Sequence, residues 1–172
     1  LGVFGGDLAG VSLVVVVPLI VLSGLAGGAV AEELGWRGYA LPRLQARLGG
    51  TAASVALGIA WTVWHLPLYY IPGVSAGPPF GWYLPRLVAT CVLMTWLFNH
   101  TRGSVFHAML FHAAVNGSEA LVSGTLGTPF LKLRYGQVMT LLTMGAALAV
   151  LAVWGRDLDG GVTQSGNTTG RS

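Results

Sequence analysis

The stretch that decides the fold is residues 8–31, LAGVSLVVVVPLIVLSGLAGGAVA, followed at once by residues 32–37, EELGWR. None of the 24 residues in the first stretch is Asp, Glu, Lys or Arg, and a helix of that length crosses the hydrocarbon core of a bilayer. The second stretch then adds Glu32, Glu33 and Arg37. A charged side chain at the bilayer centre costs about 2.5–3.5 kcal/mol on insertion scales. The cluster therefore indicates a functional site within a membrane.

Composition places the whole chain in a membrane. Only 9% of the residues are charged, against about 25% in soluble domains, and the mean hydropathy is +0.68. The net charge of +3 comes from scattered Arg residues without a basic run, so nucleic-acid binding has no support. The single Cys91 excludes an internal disulfide. We therefore predict an integral, multi-pass protein of a prokaryotic cell membrane, with the lipid bilayer as its surroundings.

The apolar segments predict an all-α fold, a polytopic transmembrane helical bundle of about five membrane helices. The first helix runs from about residue 8 into the acidic cluster, with Pro18 as a tolerated kink. The other four cover about residues 51–71, 82–98, 104–122 and 135–154. We expect residues 1–155 to form one membrane-embedded domain and residues 156–172 a disordered polar tail. Because the sequence opens on Leu1, we also expect further helices before it.

Local spacing predicts how the first two helices meet. Residues 37–48 are amphipathic and either continue the first helix or lie along the membrane interface. If the chain reverses at Gly49-Gly50, Glu32 lies 17 residues before the reversal and His65 lies 15 residues after it. At a rise of ~1.5 Å per residue, the two side chains then sit within about 3 Å of the same depth. Earlier in the helix, the GxxxG spacing of residues 24–28 predicts close approach of another helix.

Orientation in the membrane follows from the basic residues. Alternating spans put Arg43, Arg47, Arg102 and Arg156 on one side and Arg86, Lys132 and Arg134 on the other. The positive-inside rule favours the first side as cytoplasmic.

Within the acidic cluster, helical geometry separates the roles of the two carboxylates. Glu33 and Arg37 are four residues apart, so they share a face and can pair. Glu32 is rotated by roughly 100° from Glu33 and points elsewhere. It is thereby free to face a wet cavity and act as a general base on water. The alternative, which has equal weight from this segment, is a structural ion-pair cluster of all three residues at the membrane edge.

Two later segments carry further polar groups. His65 follows Trp61 by one turn, and a lone membrane histidine more often packs or donates a hydrogen bond than catalyses. His112 and Asn116 project from one stripe of a helix. Together they either donate hydrogen bonds to a developing oxyanion or form a polar contact between helices. We interpret the remaining candidates as structural, interfacial or boundary residues: His100, His107, Asn99 and Glu119.

Three motifs in separate apolar segments, EExxxR, aromatic-xxx-His and HxxxN, together resemble the CAAX-protease and bacteriocin-processing (CPBP) family. That family includes the endopeptidases that trim prenylated CAAX proteins. The resemblance covers about residues 11–154, whereas no HExxH zincin motif occurs in the chain. The matching residues are Glu32, Glu33 and Arg37 in the first motif, Trp61 and His65 in the second, and His112 and Asn116 in the third. Trp61 stands where the family usually has Phe.

The resemblance implies an intramembrane endopeptidase in which Glu32 and His65 activate a water that attacks the peptide carbonyl. His112 and Asn116 would stabilise the tetrahedral oxyanion, and the pair formed by residues 33 and 37 would support the site. The substrate would be a peptide or a membrane protein. Residues 1–155 would then form a CPBP-type protease domain.

The family has also been described as metal-dependent, and Glu32, His65 and His112 are candidate zinc ligands by type. We expect no cofactor, because Asn116 beside His112 suits an oxyanion donor better than a metal shell. Two other functions stay open. One is a proteolytically inactive scaffold or bacteriocin-immunity protein that uses the same polar residues as helix contacts. The other is a small transporter with Glu32 and His65 as a proton relay.

Overall fold

The structure, a computed structural model, describes residues 13–72, 78–125 and 128–158. These residues are helical, with no strand among them, so the predicted all-α fold is confirmed. In chain order the helices are α1 Leu13–Gly24, α2 Val30–Gly35, α3 Leu41–Leu48, α4 Gly50–His65, α5 Phe80–His100, α6 Val105–Thr125 and α7 Pro129–Trp154. Most of the predicted tail, residues 159–172, lies outside the described residues. Leu158, at the start of that tail, is fully buried.

The first three helices follow one another without a loop. π-helical turns at Leu25–Ala29 and Trp36–Ala40 join them, so residues 37–48 continue the first helix, which was one of the two alternatives. Pro18 lies inside α1 without ending it. A π turn inserts an extra residue and is frequent at functional sites. Here the two π turns flank α2, the short helix that carries Glu32 and Glu33.

Three segments among the described residues are long and apolar enough to cross a membrane. They are Gly50–Tyr70, Phe80–His100 and Pro129–Trp154. The first of them ends in a 3-10 turn, Leu66–Tyr70, because Pro67 cannot continue the α-helical hydrogen bonding. The two other predicted spans also form helices, but α6 carries the polar stripe and the first segment is interrupted by π turns. The result is an all-helical membrane bundle.

Glycines mark the places where the helices approach most closely. A Cβ on Gly24 would collide with the backbone of Ala113, so α1 crosses α6 at that point. A Cβ on Gly58 would lie 2.7 Å from the Cα of Val88, so α4 and α5 are in backbone contact there. Of the two glycines in the predicted GxxxG surface, Gly24 makes the helix contact. Gly28 instead lies beside the carboxylate of its own helix, as described below.

The turn at Gly49, the loop after α5 and the end of α7 meet at one end of the bundle. Gln45 donates a hydrogen bond to Asn99 at 3.1 Å, and the Thr51 N–H donates to the Arg156 carbonyl at 2.8 Å. This end carries the four arginines that the sequence placed on one side. Arg86, counted on the opposite side, lies near the start of α5 and is buried.

Candidate active site

A cavity of about 50 Å³ lies between α4, α5 and α6. Its walls are Trp61 and His65 from α4, Tyr83, Arg86, Leu87 and Thr90 from α5, and His112, Val115, Asn116 and Glu119 from α6. A single water needs roughly 10–15 Å³ by this kind of measure. The cavity therefore has room for water but is far below the ~300–1,000 Å³ of typical ligand pockets. Three of the four predicted catalytic residues share it.

A buried ion pair lies behind His112, between α2 and the π turn that follows it. Glu33 and Arg37 are both fully buried, and the Arg37 Nη1 donates to the Glu33 Oε1 at 3.0 Å. The pairing predicted from their spacing is therefore present. The Nδ1 of His112 lies 2.8 Å from the same Oε1. Since an ionised carboxylate only accepts hydrogen bonds, His112 donates from Nδ1 and its Nε2 stays available.

The other end of the Arg37 guanidinium reaches two more helices. Its Nη2 lies 3.2 Å from the Sγ of Cys91 on α5, and its Cζ lies 4.9 Å from the ring centroid of Trp61 on α4. A buried guanidinium is stable only when its charge is paired, and Arg37 is paired through Nη1, although its Nε has no hydrogen-bond partner. Arg37 therefore fixes the relative positions of α4, α5 and the acidic cluster. No residue pattern indicated the contact with Cys91.

Trp61 connects the cavity to Glu32. Its indole Nε1 donates to the Glu32 Oε2 at 2.6 Å, and its ring lines the cavity. Glu32 itself is not among the lining residues. Its other oxygen, Oε1, lies next to Gly28, where a Cβ would come within 2.8 Å of it. Gly28 also has a φ of +118°, which glycine alone adopts readily. This glycine therefore leaves the room that the carboxylate occupies.

The tautomer of His65 follows from its hydrogen bond. Its Nδ1 lies 2.9 Å from the Trp61 carbonyl oxygen. A carbonyl oxygen only accepts hydrogen bonds, so Nδ1 carries the proton and the Nε2 of the neutral ring keeps a lone pair. The ring is held edge-on between Trp61 and Tyr83, with centroids 5.8 Å from each. His65 is thus positioned to accept a proton at Nε2.

Glu32 and His65 were predicted to lie at the same depth, and in the structure both contact Trp61. The same contacts concern the candidate zinc ligands. Within the described ranges, no three His, Cys, Asp or Glu side chains gather closely enough to hold a metal ion. The indole of Trp61 is bonded to Glu32 and lies beside the rings of His65 and His112, with the His112 centroid at 5.0 Å. All three candidate ligands, Glu32, His65 and His112, therefore contact the same indole.

An ion pair that the sequence analysis missed closes part of the cavity wall. Arg86 on α5 pairs with Glu119 on α6, which the sequence analysis interpreted as a boundary residue. A signal for Glu119 was present: it follows His112 by seven residues and Asn116 by three, so it lies on the same stripe of α6.

The histidines interpreted as structural lie away from this cavity. The Nδ1 of His107 lies 2.8 Å from the Oγ of Ser104, on an exposed surface. The Nδ1 of His100 lies 2.8 Å from the Trp96 carbonyl. A larger, open cavity of about 450 Å³ lies near Gln45 and Asn99, but none of the predicted catalytic residues lines it.

Fold and site together define a helical membrane protein with Glu, His and Asn side chains in and around a buried cavity. Residues 13–118 match the family described as type II CAAX prenyl endopeptidase Rce1-like, and this range includes all the predicted site residues. The chain belongs to that family, which confirms the resemblance drawn from the motifs.

A similar protein is CAAX prenyl protease 2 of Methanococcus maripaludis. It is 33% identical over 123 residues, which cover 67% of this chain and 45% of the relative. The chain therefore spans less than half the length of that relative. No solved structure matches the chain.

Proposed function

We propose that this chain is an intramembrane endopeptidase that hydrolyses a peptide bond at the cavity between α4, α5 and α6. The observation that carries the proposal is the shared cavity of His65, His112 and Asn116, with Glu32 hydrogen-bonded to Trp61 in its wall. The family to which the chain belongs is named for prenyl endopeptidases. Peptide hydrolysis needs a base, a site for water and hydrogen-bond donors for an oxyanion. Glu32 and His65, the cavity, and His112 with Asn116 are the groups that would supply them.

The first step is attack of water on the peptide carbonyl. Water in the cavity forms a bond to the carbonyl carbon while its proton passes to Glu32, and the Nε2 of His65 accepts a hydrogen bond from the same water. His65 lines the cavity directly, whereas Glu32 contacts its wall through Trp61. General base catalysis of this kind contributes about 10²–10⁴-fold to the rate. No metal takes part in this proposed step.

The second step is stabilisation and collapse of the tetrahedral intermediate. The Asn116 amide donates a hydrogen bond to the oxyanion, and His112 donates a second one when its Nε2 carries a proton. The Glu33 carboxylate accepts the ring proton at Nδ1 and so fixes the orientation of the His112 ring. The carbon–nitrogen bond then breaks, and the base returns its proton to the leaving amine. Each oxyanion donor is worth about 10²–10³-fold in rate.

A second candidate function is a scaffold that performs no proteolysis. The observation in its favour is the network of Glu33, Arg37 and His112, which joins α2 to α6 through buried hydrogen bonds. Such a network would also be needed to hold helices together without catalysis. The two functions differ at Glu32, because it lies outside this network.

Substitution of Glu32 separates the two functions. We expect Glu32→Gln to insert and unfold like the wild type, since the amide oxygen can still accept the Trp61 N–H, while cleavage falls by about 10²-fold or more. The measurement compares membrane-peptide products of the two proteins in reconstituted vesicles, with thermal unfolding as the folding control. Unchanged cleavage by Glu32→Gln would refute this mechanism.

A parallel experiment with a chelator tests the metal-free step. Activity that is lost with chelator and restored by zinc would contradict that step.

A further inference from the structure

The larger cavity of the molecule lies away from the proposed active site, at the end of the bundle where α3 turns into α4. Its volume of about 450 Å³ falls within the ~300–1,000 Å³ of typical ligand pockets. Four polar side chains line it: Gln45, Asn99, Arg102 and Asp157. None of them takes part in the proposed hydrolysis, so that function leaves this cavity without a role.

The cavity lies at the depth of lipid headgroups. All three membrane-spanning segments have one end here, because Gly50 begins the first, His100 ends the second and Trp154 ends the third. At the same end, the rings of Trp96, His100 and Trp154 form a cluster with centroids 4.9–5.6 Å apart. Tryptophans of membrane proteins gather at the headgroup level of the bilayer. The cavity therefore opens towards the headgroup layer.

The backbone of the segment after α7 holds Asp157 at the cavity. Thr51 donates to the Arg156 carbonyl from its N–H at 2.8 Å and from its hydroxyl at 2.7 Å. The Asn99 Nδ2 lies 3.3 Å from the Asp157 carbonyl oxygen. A Cβ on Gly50 would collide with that carbonyl, so the glycine lets this segment approach α4. These contacts fix the backbone of Asp157 and leave its carboxylate free.

Arg102 lies at the cavity in an unusual backbone conformation. Its φ is +57°, in the left-handed region that glycine usually occupies after a helix. Strained residues of this kind cluster at ligand sites. Among the described residues, neither Arg102 nor Asp157 forms an ion pair with another side chain. Two opposite charges therefore line one cavity without pairing with each other.

A ligand that pairs with both charges carries an anion and a cation of its own. A phosphate matches the guanidinium of Arg102, and an ammonium group can donate to the Asp157 carboxylate. Gln45 offers a further acceptor, because its Nε2 donates to Asn99 and its Oε1 remains. Phosphatidylethanolamine carries both groups on one headgroup. Phosphatidylcholine has no N–H to donate, and an anionic headgroup would leave the carboxylate beside a like charge.

We infer that this cavity binds the phosphoethanolamine headgroup of a membrane lipid, with the phosphate on Arg102 and the ammonium on Asp157. The inference goes beyond the proposed function and does not depend on it. Other arginines at this end point elsewhere. Arg43 stacks on the Tyr39 ring at 3.7 Å and donates to the Tyr39 carbonyl, and Arg47 is rotated by about 200° from Gln45 around α3.

The test measures which lipids the protein retains. Wild-type protein in vesicles with equal parts of phosphatidylethanolamine, phosphatidylcholine and phosphatidylglycerol is extracted in mild detergent, and native mass spectrometry counts the bound lipids. We expect phosphatidylethanolamine to exceed each of the others by about threefold or more, the size of an exposed charge pair. Asp157→Asn should lose the preference over phosphatidylglycerol, because the repulsion of the anionic headgroup is removed while Arg102 remains.

Two arginine variants separate the cavity from the general basic charge of this end. Arg102→Gln should lower retention of phosphatidylethanolamine to that of phosphatidylcholine. Arg47→Gln, the matched control, removes an exposed arginine that does not line the cavity and should retain lipids as the wild type does. Equal effects of the two variants would overturn the inference, and so would a wild-type preference for phosphatidylglycerol. Thermal unfolding checks each variant; if Asp157→Asn does not fold, the comparison of the two arginine variants decides.

A soluble competitor distinguishes the lipid from a free phosphate ester with the same charges. Glycerophosphoethanolamine, which has the headgroup without the acyl chains, is added in millimolar excess to the lipid-bound wild type. We expect the lipid to stay bound, because its acyl chains remain against the apolar surface of the helices. Complete displacement would assign the cavity to a soluble ligand and overturn the lipid assignment.

Discussion

Trp61 has contacts that a phenylalanine, the usual family residue at this position, would only partly reproduce. Its ring packs against His65 and His112 and lies near the Arg37 guanidinium, and any aromatic ring would keep these contacts. Only the indole N–H can donate to Glu32. A hydrogen bond to a charged group contributes about 1.5–3 kcal/mol. In this chain Glu32 is therefore positioned by a hydrogen bond from Trp61 as well as by the space beside Gly28.

Gly28 provides a test of how tightly Glu32 must be placed. In Gly28→Ala, the new Cβ meets the Glu32 Oε1, and the φ of +118° becomes strained. We expect the carboxylate to shift and cleavage to fall by about 10²-fold, the effect of a misplacement of about 1 Å. The measurement is the cleavage rate of reconstituted protein.

The matched control for this substitution is Gly35→Ala. Gly35 ends α2, and nothing lies within 4 Å of a Cβ placed there, so its cleavage rate should match the wild type. If both alanine variants cleave at the wild-type rate, the placement of Glu32 by Gly28 is not important for activity.

At the scale of helices, the site depends on backbone contacts that join α4 to α5 and α1 to α6. Gly58 lets α4 touch the backbone of α5 at Val88, a short distance before Trp61 and His65. Gly24 lets α1 cross α6 at Ala113, next to His112. Small residues are common at such contacts, because close packing rather than a hydrophobic driving force holds membrane helices together. Gly58 thus sets the spacing of two walls of the cavity, α4 and α5, and Gly24 holds the third wall, α6, against α1.

Gly58→Ala tests this dependence. The added Cβ would lie 2.7 Å from the Val88 Cα and 3.1 Å from its Cγ2, so α4 and α5 must separate, with an expected loss of about 1–3 kcal/mol of stability. Gly145→Ala is the control, since Gly145 lies inside α7 with nothing within 4 Å of its Cβ position. It should be neutral or stabilising by up to about 1 kcal/mol. Thermal unfolding in detergent compares the two; equal melting temperatures would contradict the account.

Across the whole molecule, the features that depend on local periodicity could be predicted from the sequence. The helices follow from apolar runs, and the pairing of Glu33 with Arg37 follows from their spacing of four residues. The features that depend on helices meeting could not be predicted. The hydrogen bond from His112 to Glu33 joins residues 79 positions apart, and nothing in either segment specifies the other.

The pair of Arg86 and Glu119 was missed for the same reason. The two charged residues lie in separate apolar segments, and nothing in either segment indicates the other, although each charge makes the burial of its partner acceptable. The π turns beside α2 also escaped prediction, because they depend on backbone packing and have no distinct residue pattern.

The most direct test of the central claim compares two histidines on the same helix. His112 lines the cavity and bonds Glu33, whereas His107, five residues earlier, is exposed and bonds Ser104. The measurement is the cleavage rate of one peptide by His112→Gln and His107→Gln protein in matched vesicles. The account predicts a loss of about 10²–10³-fold for His112→Gln and a wild-type rate for His107→Gln. Equal rates for the two variants, both folded, would contradict it.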